Sequence, residues 1–524
     1  MRQVFWLVSC FLLLFHMFTI WVFPPTLIFL FISIPLFVVG IMDMRQTKHS
    51  IRRNFPVIGH MRYLLEMIRP EISQYFIESN TDGTPFSREE RSLVYQRSKK
   101  VTDTLPFGTQ RNVYEQGYEY VPHSINPSHI DPQTLRVTVG GKDCLKPYSA
   151  SVFNISAMSY GSLSQNAVRA LNGGAHDGKF AHNTGEGGLS VHHLENGGDI
   201  IWQIGTGYFG CRDEKGNFDP RLFQEKAQDE RVKMIEIKLS QGAKPGHGGI
   251  LPKEKLTSEI AQIRNVPLGQ DVLSPPWHSA FSKPKELCAF IKKLRDFSGG
   301  KPIGVKLCIG RESEFMAFCK AMLETGIYPD YVSVDGAEGG TGAAPLEFSN
   351  SVGMPGHDAI VFVVDTLRGF DLKKNISVFA SGKLTSAFGI IRHLCLGVDV
   401  CYAARPFMLS LGCIQALRCN TNDCPTGVAT QNPELSQGLV VSDKRTRVKN
   451  FHEQTLKGVA EILGAMGVHD HRHLTPHDLR RRVSQFDVRS LADIVPWVRE
   501  GAYLQNEIPE RWRRDFELAT AEHF

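Results

Sequence analysis

Charge of a single sign is missing from this chain. Against 59 lysines and arginines stand 54 aspartates and glutamates, a net of +5 over 524 residues. So even a balance gives no field for gathering nucleic acid, and no nucleic-acid partner is expected. Regular cysteine pairing is missing too. The 11 cysteines are irregularly spaced and fall mostly in apolar segments, unlike a secreted disulfide scaffold. A reducing, cytosolic catalytic domain is expected instead. The apolar N-terminus lacks a small-residue cleavage site and outruns the core of a signal peptide, so it is not read as a removable leader. None of the glycine-rich loops is a P-loop or a dinucleotide fingerprint. What remains is a globular composition, 42% hydrophobic and 22% charged, long enough for one large domain plus additions.

Val4 to Phe23 is nearly all apolar, Pro24 and Pro25 follow, and Thr26 to Met42 is apolar again. A membrane span takes about 20 such residues; the first segment meets this and the second falls slightly short. The Pro-Pro pair suits a tight turn, so residues 1–43 read as a two-span transmembrane helical hairpin. One span plus an interfacial segment is the alternative. Arg2, and beyond the second span Arg45, Lys48, Arg52 and Arg53, hold both ends on the cytoplasmic side. Cys10 and His16 inside the first segment read as packing residues.

Residues 44–145 are mixed and charged and read as a linking and covering segment. Within it FSREERSLVYQRSKKV has helical spacing with a cap at Ser87, and PHSINPSHIDP reads as loop. From about residue 150 short apolar, β-branched runs alternate with helical stretches. The candidate strands are Val152–Ala157, Lys179–His182, Ile200–Ile204, Lys233–Lys238, Ile303–Leu307, Tyr331–Asp335, Ile376–Ser381 and Val398–Tyr402. PKELCAFIKKLRDF and ESEFMAFCKAMLETG are clear helices between them. Repeated strand–helix units imply parallel strands. The fold class expected is α/β, with residues 146–470 forming a (β/α)8 TIM-type barrel whose active site lies at the strand C-termini. A doubly wound sheet is the alternative. Residues 471–524 are expected to form a C-terminal helical tail.

Most motifs directly follow a strand. GAEGGTGAAP (336–345), SGKLTS (381–386) and AARP (403–406) follow three consecutive strands. Glycine backbones approach phosphates closely, and barrels commonly bind phosphate after their seventh and eighth strands, so a phosphate-bearing cofactor is expected there. NTGEGG sets Glu186 among glycines, and QGAKPGHGG does the same for Lys244; a solvated turn and a surface loop are the plain readings. A lysine at that face can bind a carboxylate or stabilise an oxyanion. Lys306, in the strand IGVKL, must reach a partner because its charge is costly to bury. Cys413, Cys419 and Cys424 stand in CIQALRCNTNDCPTGVATQ with five and then four residues between them. Buried thiols, zinc or an iron–sulfur cluster all fit three cysteines. Zinc normally takes four ligands, and His393, the nearest upstream histidine, has nothing placing it there. Three ligands suit a cluster lacking one iron corner. Cys395 and Cys401 read as core.

In this order the motifs resemble the flavin domain of glutamate synthase. The likeness runs from about Ser156 to Pro433 through SAMSYGSLS, NTGEGG, QGAKPGHGGILP, GVKL, DGAEGGTGAAPL, SGKL and LGCIQALRCNTNDCPTGVATQNP. It implies a barrel carrying FMN, with Cys413, Cys419 and Cys424 ligating a 3Fe-4S cluster. It implies hydride transfer to 2-iminoglutarate, formed from 2-oxoglutarate and ammonia, to give L-glutamate. Glu186 and Lys244 are then catalytic, and Gln241 and Arg264 bind the 2-oxo acid. Lys306 lies by the flavin ring, and Ala157, Met158, Ser159, Gly339, Gly340, Thr341, Ser381, Gly382, Ala404 and Arg405 line FMN. Partners implied are 2-oxoglutarate or a related 2-oxo acid, ammonia, and an electron donor such as ferredoxin or a reductase subunit. Two departures stand out: Ile250 takes the place of a pocket glutamine, and His247 that of a common glutamate. No glutaminase-like region is recognised, so ammonia is expected from outside the chain. The likeness is greatest to short, membrane-anchored bacterial proteins of this kind, which implies the cell inner membrane with the catalytic domain cytoplasmic. A membrane-linked amino-acid dehydrogenase feeding quinone is one alternative, and an anchored flavin and iron–sulfur sensor or binding protein is another.

Overall fold

The computed structural model describes all 524 residues as two compact units, Met1–Arg88 and Glu89–Phe524. In the first unit helix α1, Arg2–Val22, stops at Phe23 ahead of Pro24 and Pro25, where the residue before a proline is steered out of helical conformation. A 3-10 turn, Pro24–Phe29, leads into α2, Leu30–Arg45. Phe5 of α1 stacks on Phe37 of α2 with ring centroids 6.0 Å apart. Arg2–Val22 and Pro24–Arg45 are each long and apolar enough to cross a membrane, judged by length and composition. Helix α3, Gly59–Ile72, follows.

The second unit is built on a closed barrel of eight parallel strands. In chain order they are β1 Phe153–Ile155, β2 His182–Asn183, β3 Ile200–Ile204, β4 Val232–Lys238, β5 Ile303–Leu307, β6 Tyr331–Val334, β7 Ser377–Ser381 and β8 Val400–Ala403. Each pairs with its neighbours in sequence, and β8 closes on β1 through Cys401 and Phe153. The doubly wound alternative is thereby ruled out. Helices α4, Pro284–Phe297, and α5, Glu312–Thr325, lie where the periodicity sets them, α5 ending at Gly326 in the left-handed region.

Two expectations shift. β2 begins at His182 because Lys179, at φ 56°, caps the preceding helix Gln165–Gly178; Phe180 and Ala181 then lead from that cap into the strand. The 471–524 stretch holds one α-helix, Glu510–Leu518, but also 3-10 turns and the strands Arg480–Arg482 and Val488–Ser490. These two strands form a three-stranded sheet with Glu119–Tyr120. Arg480, Arg481 and Arg482 run consecutively along the central strand of this sheet, each half-buried, and strand formation there follows from pairing on both sides more than from local propensity.

The N-terminal mouth of the barrel is plugged. A hairpin, Arg136–Val139 with Tyr148–Ser151, sends Val139, Tyr148 and Ala150 into a buried cluster with Ile201, Met234, Tyr331, Phe379 and Tyr402 of the barrel. With that end filled by apolar side chains, the opposite mouth is the one left for chemistry.

Candidate active site

Four of the residues singled out in sequence converge at the C-terminal strand ends. Glu186, in the turn after β2, meets Lys238, the last residue of β4, at 2.8 Å. The Lys238 ammonium also donates to Gln241 Oε1 at 2.6 Å. Burial raises the Glu186 carboxyl, but Lys238, with Lys244 and Arg264 beyond it, outweighs burial and holds the group below the usual carboxylate range. Lys244 is 3% exposed and Arg264 4%. Burial lowers the Lys244 ammonium, with Glu186 opposing, and lowers the Arg264 guanidinium to about 10 against the same carboxylate. Arg264 ends the helix Ser258–Arg264. Its Nη2 donates to Tyr160 O at 3.1 Å, its plane lies 5.1 Å over the Phe209 ring, and its Nε has no partner. Lys244 and Arg264 are thus two desolvated cations, neither within an ion pair.

The floor of the mouth carries a second charged set. Lys306 on β5 pairs with Asp335, just after β6, at 3.5 Å. Burial works against the Lys306 charge, but Asp335, Glu236 and Glu186 more than offset it and its pKa rises. Glu236 on β4 accepts from Asn183 at 2.8 Å and Gln203 at 2.7 Å, and burial still pushes its carboxyl up.

The loops after β6, β7 and β8 adjoin one another. Arg405 Nη2 donates to Glu338 O at 3.3 Å, and a side chain on Gly340 would meet the Arg405 guanidinium at 2.8 Å. Ser381 donates to Asp335 Oδ1 at 2.5 Å, and Gly382 faces His393 Nε2, a buried nitrogen without a partner. Thr341 lies in the same glycine run as Gly339, and Ala404 caps the helix Arg405–Ser410. After β1 the Ala157–Ser159 segment backs onto the Glu186 turn: Gly185 lies against Met158 and the Ser159 amide.

Cys413, Cys419 and Cys424 sit in the loop that follows. The Tyr95 hydroxyl donates to Cys413 O at 2.6 Å. Buried Lys255 donates to Cys419 O and Ala429 O, each at 2.8 Å, and to Ser162 O at 3.2 Å. Burial pushes the Cys413 thiol up to about 12 and raises Cys419. For Cys424 burial acts the same way, but the Thr426 hydroxyl and the backbone N–H groups of Thr426, Val428 and Ala429 outweigh it and lower the thiol. No three His, Cys, Asp or Glu side chains gather tightly enough for a single metal ion.

A family model described as the conserved region in glutamate synthase matches residues 103–469. The chain belongs to the glutamate synthase family. Within it, the glutamate synthase large subunit-like protein YerD of Bacillus subtilis is 36% identical over 508 residues, 88% of this chain and 96% of that one. The archaeal glutamate synthase (NADPH) of Methanocaldococcus jannaschii is 35% identical over 352 residues, 67% of this chain and 65% of its own length. Among solved structures, a mutant flavocytochrome b2 with pyruvate bound aligns over 80% of this chain and 85% of its own, at 13% identity and a TM-score of 0.42.

For this member of the glutamate synthase family, sequence reasoning passed over Lys238, Glu236 and Asp335. The two on β4 carry a signal only in the strand period. Met234, Glu236 and Lys238 alternate on one face of β4, and Met234 belongs to the barrel's interior cluster; a period of two puts both charges inside with it. The two departures from the family pattern are also placed. Ile250 lies in a short strand paired with Leu273, and the His247 ring packs 5.5 Å from Phe348 while its Nδ1 lies 2.9 Å from Gly248 O.

Proposed function

We propose that this chain is an oxidoreductase using FMN and a 3Fe-4S cluster to aminate 2-oxoglutarate reductively to L-glutamate. Its ammonia comes from outside the chain and its electrons from ferredoxin or a reductase. The observation that carries the reading is the pair Lys244 and Arg264. Two buried cations without a carboxylate of their own are expensive to hold. A dicarboxylate entering between them offsets both charges, and Arg264 can grip one carboxylate by its fork. A monocarboxylate would leave one cation unmatched.

The residues present suit the two groups. Two adjoining glycine-bearing strand ends, after β6 and β7, with Arg405 of the third beside them suit a phosphate. Lys306, kept charged by Asp335 and Glu236, suits an electron-rich ring edge. Three cysteines in one loop, with no fourth cysteine of fitting spacing, favour a three-ligand iron–sulfur cluster over zinc.

FMN, when bound, supplies the hydride for the imine carbon. The chain's own residues do the rest. Lys244 and Arg264 orient the substrate by its carboxylates, which fixes the face presented for transfer. Ammonia adds at the carbonyl carbon and the carbonyl oxygen leaves as water. Glu186, held ionised by Lys238, accepts hydrogen bonds from the nitrogen that carries the developing positive charge. In this reading α1 and α2 anchor the enzyme in the cell inner membrane, with the barrel in the cytoplasm. The test supplies the purified chain with reduced ferredoxin or dithionite, ammonia and 2-oxoglutarate, beside flavin and iron determinations. Glutamate should form, with 2-oxo monocarboxylates turning over far more slowly. No glutamate from any donor, or indifference to the second carboxylate, sinks the reading.

A further inference from the structure

Helix α3 carries an apolar stripe that nothing in the protein covers. Met61, Leu64, Leu65 and Ile68 are all exposed and recur at the i, i+3, i+4 and i+7 positions of one face. Arg62, Glu66 and Arg69 fall on the other side, Arg62 pairing with Glu66 at 2.7 Å. A π-turn, Ser73–Ile77, continues the chain and leaves Phe76 85% exposed. A contiguous patch of this kind marks a surface that meets something.

The start of α3 is tied to the end of the helical hairpin. Buried Asp43, near the C-terminus of α2, meets His60 Nε2 at 2.8 and 2.9 Å and accepts from Val57 N at 2.9 Å. Arg2, at the N-terminus of α1, donates from Nε to Arg53 O at 2.8 Å. The chain between α2 and α3 is therefore held level with the same end of both α1 and α2. Charge is concentrated there as well. Between Arg45 and the end of α3, six cations, Arg45, Lys48, Arg52, Arg53, Arg62 and Arg69, stand against two carboxylates, Glu66 and Glu71.

We propose that α3 lies flat in the interfacial layer of the bilayer that α1 and α2 span, its stripe in the boundary between headgroups and acyl chains. This rests on the membrane reading of α1 and α2. Its partner is an anionic lipid surface. An apolar stripe flanked by cations is what such a surface binds, each cation adding to the attraction. A second copy of the same segment would bring six cations against six.

The unmodified chain supplies its own probes. Met61, on the stripe, is 61% exposed and Met67, off it, is 57% exposed, so protein alone shields them equally. Met17 of α1 is also exposed and reports on the span. The chain is placed in nanodiscs of phosphatidylcholine and phosphatidylglycerol at one copy per disc and treated with hydrogen peroxide. Sulfoxide formation at each methionine is followed by peptide mass spectrometry. Met17 and Met61 should oxidise about tenfold or more slowly than Met67, the factor that burying a methionine side chain supports. If Met17 is protected while Met61 keeps pace with Met67, α3 is off the membrane and the span stands. Equal protection of Met61 and Met67 means that protein covers the helix, which overturns the proposal. Free oxidation of Met17 removes the membrane reading and this inference together.

Discussion

Replacing Lys238 by methionine isolates the ion pair at the centre of the site. Methionine keeps most of the stem's volume and removes the charge. In the native chain the Glu186 carboxyl sits below its ordinary pKa because Lys238, 2.8 Å away, outweighs burial. A lowered acid stabilises the fold above the unfolded pKa, near 4.3, and that contribution fades as pH falls through the lower folded value. With Lys238 gone, burial is opposed only by Lys244 and Arg264, and the folded pKa rises above the unfolded one. The sign then reverses: the variant loses stability as pH climbs past about 4. Removing one partner of a buried pair costs about 3–5 kcal/mol; the two remaining cations cut this to about 2–3 kcal/mol at pH 8. The deficit should shrink markedly by pH 4. Urea unfolding followed through Trp202, buried in β3, measures it at both pH values. Adding Glu186→Gln should return much of the loss, a coupling that only a direct pair produces. A deficit equal at pH 4 and pH 8, or a double variant no better than Lys238→Met alone, refutes the argument.

Three further outcomes follow from other contacts. A Cβ on Gly242 would stand 1.8 Å from Gly336 O, backbone against backbone, so Gly242→Ala should lower stability by about 2 kcal/mol and reduce bound flavin per chain, both read from one thermal melt with flavin release. Burial pushes the Asp365 carboxyl up to about 6; a raised acid gives up stability as pH rises from about 4 to 6, so Asp365→Asn, which keeps an acceptor for Val498 N–H, should gain about 2 kcal/mol at pH 8 and nothing at pH 4, and equal urea midpoints for both proteins at pH 8 would contradict this. Lys255→Met removes two hydrogen bonds to carbonyls of the cysteine loop and one to Ser162 O after β1, about 2 kcal/mol of support for the cysteine loop, and should lower iron per chain while circular dichroism stays that of a folded barrel.

The barrel was legible because its strands are buried on both faces and therefore read as apolar β-branched runs. β3 and β5 lie at the residues expected, since Ile200–Ile204 and Ile303–Leu307 are bounded by turns and interrupted by little. β2 shifted because His182–Asn183 offers no apolar run; register with its neighbours, not composition, makes it a strand. The plug hairpin straddles two stretches, its first strand in the one read as covering and its second at the start of the one read as barrel. Arg136–Val139 is only four residues long, with Arg136 half-buried and Thr138 exposed on one face, so its inward alternation is visible only against the barrel it fills. Glu186, Lys244 and Arg264 were legible from motif likeness, while Lys238 was not, because an apolar-strand reading discounts a terminal lysine. Pairing partners lie far apart in sequence, and no local pattern states that residue 186 meets residue 238.

Asp335 shows why these separated motifs have to occur together. Its Oδ2 pairs with Lys306 at the end of β5 and accepts from Gly242 N, after β4, at 3.0 Å. Its Oδ1 accepts from Ser381, the last residue of β7, at 2.5 Å. One carboxylate at the end of β6 thus ties four neighbouring strand ends together. Burial opposes its charge, but Lys306, Ser381 and the Gly242 amide outweigh burial and keep it ionised. Asp335 in turn is the nearest of the carboxylates that hold Lys306 charged in an apolar strand. The Gly242 amide can reach Asp335 only because the absence of a side chain lets its backbone pass the Gly336 carbonyl. The glycines of QGAKPG and GAEGG therefore serve more than a ligand's approach. They let the loop bearing Lys244 dock on the Gly336–Pro345 loop, so that the cation proposed for substrate and the loop proposed for phosphate share one support.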